Sequence, residues 1–194
     1  MAQDAGSDWR DGLPFFGGST WLDLVNTTAV VDGAPVDFIA GLDDFRRWVK
    51  AAALPVPSPP DKADHQAALA LRQRLREAAP ALSAGGAPPT PLVETLNGAL
   101  ACLSASPRLE VRGGAAALSD QLAFSGPPAT ALVAEDAARF LCEYEPARLR
   151  GCASPACTMV FYDRGRNNTR RWCSMSICGN REKVAAYRAR KAGR

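Results

Sequence analysis

The sequence predicts an α+β fold: a mostly helical N-terminal body with a small antiparallel sheet, followed by a compact cysteine-rich module. Three observations point there. Residues 43–144 carry four segments with apolar residues at helical spacing, interrupted by a Gly113-Gly114 turn between strand-like runs. Four of the six cysteines fall into two matched pairs, Cys152/Cys157 and Cys173/Cys178, each with four residues between its members. The charge is also divided. Residues 146–194 hold 12 Lys/Arg against Asp163 and Glu182, a net of +10; residues 1–145 hold 11 Lys/Arg against 18 Asp/Glu, a net of −7. The chain of 194 residues therefore divides into a body, 1–146, and a module, 147–194.

Residues 1–12 read as a loose polar leader without the apolar run of a signal peptide. Phe15-Phe16-Gly17-Gly18 leads into Thr20–Thr27, whose Trp, Leu, Val and Thr content predicts a strand. Alternation places Trp21, Asp23 and Val25 on one face and Leu22, Leu24 and Asn26 on the other. Asp23 and Asn26 either hydrogen-bond nearby backbone at the strand ends or, with Trp21, line a ligand pocket. Residues 28–41 read as an irregular connection. Asp43 is expected to cap a helix that turns Phe45, Trp48 and Val49 inward and stops before Pro55. Four prolines make 54–60 a stiff linker.

Asp61 or Asp64 opens the next helix, which runs to about Ala79 with Ala68, Leu71 and Leu75 as its buried stripe. Arg72 and Arg76, one turn apart, form a solvated face or an anion site opposite Asn26. His65, the single histidine, is expected on the surface. After the break at 84–89, Thr90 caps a helix with Pro91 at its first position. Its predicted stripe is Val93, Leu96, Leu100 and Leu103, with Cys102 packed beside it. Arg108–Arg112 and Ala115–Phe124 then form a hairpin about Gly113-Gly114. Ala129–Tyr144 is a helix with Leu132, Phe140 and Leu141 in the core and Cys142 as a further packing residue. Pro146 closes it, and so short a connection predicts that the module is held against the body.

In the module, two cysteine pairs separated by fifteen residues can close a tetrahedron around one Zn²⁺. With four protein ligands no position is open to a catalytic water, so the metal is expected to be structural. Disulfides would need an oxidising compartment, and four unrelated packing thiols rarely fall into matched pairs. A segment this short cannot bury enough surface alone, so zinc would supply folding energy of about 10–16 kcal/mol apparent. Met159–Tyr162 reads as a short strand, with Trp172 in the small core. The Lys-, Arg-, Glu- and Ala-rich residues after Arg181 read as a helix, capped by Ser174 or Ser176. A cysteine turn, a hairpin and a second pair at a helix start predict a treble-clef zinc finger.

These residues resemble the CGNR zinc-finger family, named for the run found here as Cys178-Gly179-Asn180-Arg181. The likeness extends through Cys152-Ala-Ser-Pro-Ala-Cys157, Arg164 and Asn167, and Arg170-Arg171-Trp172-Cys173-Ser174-Met175. Gly17-Gly18 through Leu22-Asp23-Leu24-Val25-Asn26-Thr27 is similar to the opening of the ABATE domain, the usual N-terminal partner of that finger. The resemblance implies a bacterial transcription regulator and supplies neither a DNA sequence nor an effector; with the finger assigned to nucleic acid, the body is expected to sense a small molecule or mediate oligomerisation.

The residues themselves point to a polyanion as partner. Arg164, Arg166, Arg170 and Arg171 bracket the hairpin turn. Arg181, Arg188 and Lys191 lie near one face of the last helix, and Lys183, Arg190 and Arg194 near another, with Val184 and Tyr187 inward. DNA is the expected partner and RNA the alternative; charges that only solubilise the module are the simplest competing reading. A homodimer would let two small fingers read more base pairs. One histidine, with no phosphate loop or nucleophile motif, leaves little acid–base capacity, so no enzymatic activity is expected. A ligand-binding protein with a purely structural finger is the remaining reading. No apolar run is long enough to span a membrane, and the cytoplasm is the expected compartment.

Overall fold

The computed structural model describes residues 9–31 and 33–192. In chain order the elements are β1 (Trp9–Arg10), β2 (Leu13–Pro14), α1 (Thr20–Val25), β3 (Thr28–Val31), β4 (Ala34–Asp37), α2 (Leu42–Ala51), α3 (Lys62–Ser83), α4 (Thr90–Leu100), β5 (Leu103–Arg112), β6 (Ala115–Phe124) and α5 (Pro128–Glu143). A 3₁₀ turn, Pro146–Arg148, leads to β7 (Leu149–Gly151) and β8 (Val160–Tyr162). A π-helical turn, Met175–Gly179, precedes α6 (Asn180–Ala192). The strands pair as four antiparallel hairpins, β1–β2, β3–β4, β5–β6 and β7–β8. The predicted α+β architecture is what the chain adopts.

The body is built around α1. All five residues from Trp21 to Val25 are buried, because this single short turn of helix is enclosed by α3, α5 and β8. The predicted strand at 20–27 is therefore corrected to a helix. Its β-favouring composition describes burial, and enclosure on every side removes the alternation that a strand would need. Residues 28–37, read as irregular, are the β3–β4 hairpin. The leader reading is also corrected where it can be seen: residues 9–14 make the β1–β2 hairpin, turned by Asp11 and Gly12 at positive φ. Residues 1–8 of that leader lie outside the described residues.

In α2, Phe45, Trp48 and Val49 are buried, and Gly41 rather than Asp43 is the N-cap. In α3, Asp61 is the N-cap and accepts from the Asp64 amide at 2.8 Å. Asp64 itself reaches across to α5. Its carboxylate accepts the Ala129 and Thr130 amides, each at 3.0 Å, and the Thr130 hydroxyl at 2.7 Å. A fully buried carboxylate thus satisfies the free N–H groups and positive end of a neighbouring helix. His65, expected on the surface, is buried against Phe45 with Nε2 2.7 Å from the Ile39 carbonyl oxygen.

α4 buries Leu92 and Leu96 toward α3 and α5, not the predicted stripe begun by Val93, which is exposed. The two stripes share Leu96 and differ by one residue, or about 100° of rotation, and only the packing partners choose between them. β5 and β6 pair over ten positions, with Gly113 and Gly114 both at positive φ in the turn, as predicted. The ribbon projects from the body, leaving Leu109, Val111 and Leu118 exposed. Cys102 is half-buried, with Sγ 3.6 Å from the Gly98 carbonyl oxygen, whereas Cys142, expected to pack, is exposed on α5.

Candidate metal centre and basic helix

β7 and β8 run antiparallel, Leu149 opposite Tyr162 and Gly151 opposite Val160, so the segment between them returns tightly on itself. That return carries the first cysteine pair. The Cys152 amide donates to the Met159 carbonyl at 2.8 Å and the Cys157 amide to Ser154 at 3.0 Å. The second pair is brought in by the π-helical turn. The Gly179 amide donates to the Ser174 carbonyl, an i→i+5 closure at 3.0 Å, and this wide turn returns Cys178 beside Cys173. Gly179 keeps this turn close-packed: a Cβ there would come within 2.5 Å of Met175 Sδ, displacing that exposed side chain, and would lie 3.4 Å from the Trp172 ring.

The four sulfurs lie within 4.8 Å of one another, with Cys157–Cys173 and Cys173–Cys178 both at 3.6 Å. A Zn–S bond of 2.3 Å gives a tetrahedral S···S edge of about 3.8 Å, so the geometry fits a tetrahedral ZnS₄ centre. Four sulfurs with no nitrogen or oxygen donor also suit zinc rather than a hard cation. Hydrogen bonds from Cys157 and Cys173 pull the Cys152 thiol down to about 2, the same contacts push Cys173 upward, and burial pushes Cys178 up to about 12. Four crowded thiols cannot all ionise by themselves; the metal supplies the charge that lets them, and its binding releases protons. The Cys173 amide, 3.4 Å from Cys152 Sγ, adds a donor to the cluster.

Two family models match the chain. A family model for the CGNR zinc finger matches residues 148–191, and the ABATE model, described as "Putative stress-induced transcription regulator", matches residues 18–144. The chain belongs to the ABATE family. Its C-terminal module is a CGNR zinc finger with one structural zinc held by Cys152, Cys157, Cys173 and Cys178. Comparison with curated proteins gave no match.

The CGNR finger is locked to the ABATE body by contacts that the sequence did not disclose. The Asn26 side chain behaves as a missing strand partner: its Nδ2 donates to the Val160 carbonyl at 2.8 Å, and its Oδ1 accepts the Val160 amide at 2.9 Å. The Tyr162 amide donates to the Gly17 carbonyl at 2.9 Å, and the Glu145 amide to the Tyr162 hydroxyl at 3.0 Å. Phe16 and Ala29 of the body share one apolar cluster with Met159, Phe161, Cys173 and Cys178 of the finger.

Asp163 organises the Arg-rich turn. It is buried, and accepts the Gly165 and Arg170 amides, each at 2.8 Å. Burial alone would raise its pKa, but these amides and the nearby Arg150 and Arg148 hold the carboxyl below its usual range. The local signal was an acidic residue, Asp163, just before Arg164-Gly165, within an otherwise basic segment.

The predicted basic residues divide into two groups. Arg170 is a clamp: it donates to the Phe16, Trp172 and Cys173 carbonyls and lies over the Phe161 ring at 4.3 Å. Arg164 donates to the Gly18 carbonyl at 2.9 Å, and Arg171 lies over Trp172. By contrast, Arg166, Arg181, Lys183, Arg188, Arg190 and Lys191 are exposed, and their side chains make no hydrogen bond or ion pair with a described residue. Arg194 lies outside those residues. Val184 and Tyr187, expected inward, are exposed, because α6 packs only through its first turn and the body does not reach its far end. The Ser154 hydroxyl donates to Glu182 at 2.8 Å, tying that first turn to the cysteine return.

The residues expected to line a ligand pocket gather around the end of α1, where most have internal partners. Trp21 packs edge-on against Phe140, and Asp23 accepts the Gly17 amide at 2.8 Å. Arg72 forms a two-pronged pair with Asp37, both contacts 2.7 Å, so the solvated-face reading does not describe it. Of the five, Arg76 alone lines one of the described cavities, a cleft between α3 and the finger.

Proposed function

We propose that the CGNR finger is a treble clef that binds duplex DNA, and that the protein is a transcription regulator of the bacterial cytoplasm. The observation supporting this is α6: about 20 Å of helix presenting Arg181, Lys183, Arg188, Arg190 and Lys191 with no internal partner among the described residues. Its first turn is fixed by the zinc ligand Cys178 and the Ser154–Glu182 contact, so the charges project from a rigid base. A helix with cations on both flanks fits a major groove with arms to the phosphates on either side. Arg166 and Arg171, on the adjoining turn, extend the basic surface; Arg170 positions the finger and does not read bases. The ABATE family description supports the regulatory role.

A non-catalytic role is part of this reading. The only histidine is stacked and hydrogen-bonded in the core, which removes the usual acid–base group near neutral pH. None of the described helices is long and apolar enough to cross a membrane. Two copies on one operator would extend the short reach of each finger.

The test is fluorescence anisotropy of the zinc-loaded chain with duplex DNA. With about six phosphates contacted, affinity should fall roughly a thousandfold between 50 and 200 mM salt. The Lys183→Glu/Arg188→Glu double substitution should weaken binding at both salts. Unchanged affinity would remove α6 from the interface, and preferential competition by structured RNA would replace DNA with RNA as the partner.

A further inference from the structure

Arg76 is the odd cation of the body. Arg72, one turn earlier on α3, is neutralised by Asp37 at 2.7 Å. Arg76 is half-buried yet has no carboxylate partner among the described residues. Its Nη1 donates to the carbonyls of Val25 at 3.2 Å and Thr28 at 3.1 Å and to the Thr28 hydroxyl. Its Nε and Nη2 make no hydrogen bond to a described residue. Those two nitrogens form the edge of a guanidinium that grips a carboxylate with two parallel hydrogen bonds. A desolvated positive charge balanced only by neutral oxygens is unfavourable until an anion joins it.

The side chain also lines a cleft. A cavity of about 360 Å³ opens between Arg76, Ala79, Pro80 and Ser83 of α3 and the finger residues Thr158 and Val160. The size is at the lower end of ligand sites. Its walls are apolar at Ala79, Pro80 and Val160, it holds two hydroxyls, and no acidic residue lines it. We infer that this cleft binds a small organic carboxylate, the carboxylate paired with the Nε–Nη2 edge of Arg76 and a compact apolar body lying against Pro80 and Val160. Such a ligand touches the ABATE body and the CGNR finger at once and would fix the seam between them. Its service as an effector rests on the regulator reading above; its binding does not.

Benzoate is the probe, titrated by calorimetry into the zinc-loaded full chain without nucleic acid, so the outcome is independent of the DNA experiment. The expected result is saturable binding at about millimolar concentration or below. Benzamide, the neutral isostere, should bind at least tenfold more weakly. Arg76→Gln should lose at least tenfold in affinity for benzoate. Ser83→Phe, which fills the cleft while leaving Arg76 and its bonds to Val25 and Thr28 in place, should do the same and decides the matter if Arg76→Gln does not fold. Absence of saturation by about 10 mM, equal binding of benzamide, or benzoate binding unchanged by Ser83→Phe would overturn the assignment.

Discussion

Asp23 gives the body its pH signature. The carboxyl is only 8% exposed in the α1 turn, and burial raises it to about 7, although the Gly17 amide opposes the shift. A carboxyl with a raised folded pKa favours the folded state most below its unfolded value near 4, and that stability is lost as pH rises through 7. The zinc-loaded protein should be about 1.4 kcal/mol less stable at pH 8 than at pH 6 from this group. Urea unfolding at the two pH values checks it: Asp23→Asn should remove that part of the slope, and an unchanged slope would assign it elsewhere. Asn26 makes the complementary prediction. Asn26→Ala leaves the Val160 amide and carbonyl without their partners, at a cost of about 2–4 kcal/mol. Thermal unfolding should show a drop of roughly 5–15 °C. A change of under about 2 °C would mean that water replaces the side chain without loss.

At the scale of elements, β5–β6 and α6 are both exposed, for different reasons. The ribbon has Leu109, Val111 and Leu118 at 71%, 77% and 72% exposure, so it returns little burial energy to the body. Replacing residues 105–122 by an Asn-Gly turn should shift the melting temperature by less than about 3 °C. A larger loss would show that the ribbon's base, near Cys102 and Gly126, is part of the folding unit. α6 starts at Asn180, two residues after the ligand Cys178. Ordering of its first turn follows from the closure at Cys178, and an isolated 13-residue helix is marginal in water. Cys178→Ser should therefore reduce far-UV helicity by roughly the length of α6, and full retention would show that the helix stands without the fourth ligand.

For the whole molecule, the shared cluster of Phe16 and Ala29 with Phe161 and the ligand cysteines makes the finger part of the body's stability. Chelation should lower the unfolding temperature of the entire chain, not only abolish the finger. A body transition that stays in place after zinc removal would make the seam energetically negligible. The same seam contains the Arg76 cleft, lined by α3 on one side and by Thr158 and Val160 of the finger on the other.

The sequence by itself determined whatever rests on local spacing. The cysteine pairs specified a four-sulfur centre, Gly113-Gly114 specified a hairpin, and the stripe Ala68, Leu71 and Leu75 specified one helix face, because chain geometry over a few residues suffices for each. Tertiary structure decided what depends on which surface meets which. It made a helix of Thr20–Val25 by enclosing every side, rotated the buried face of α4 from Val93 to Leu92, and took His65 into the core. It also sorted the arginines, which are chemically alike in sequence: Arg170 became a clamp under the zinc site, Arg72 an ion pair, and the cations of α6 a free surface. A guanidinium binds whatever oxygen lies within reach, and distances between residues far apart in the chain exist only once the fold has brought them together.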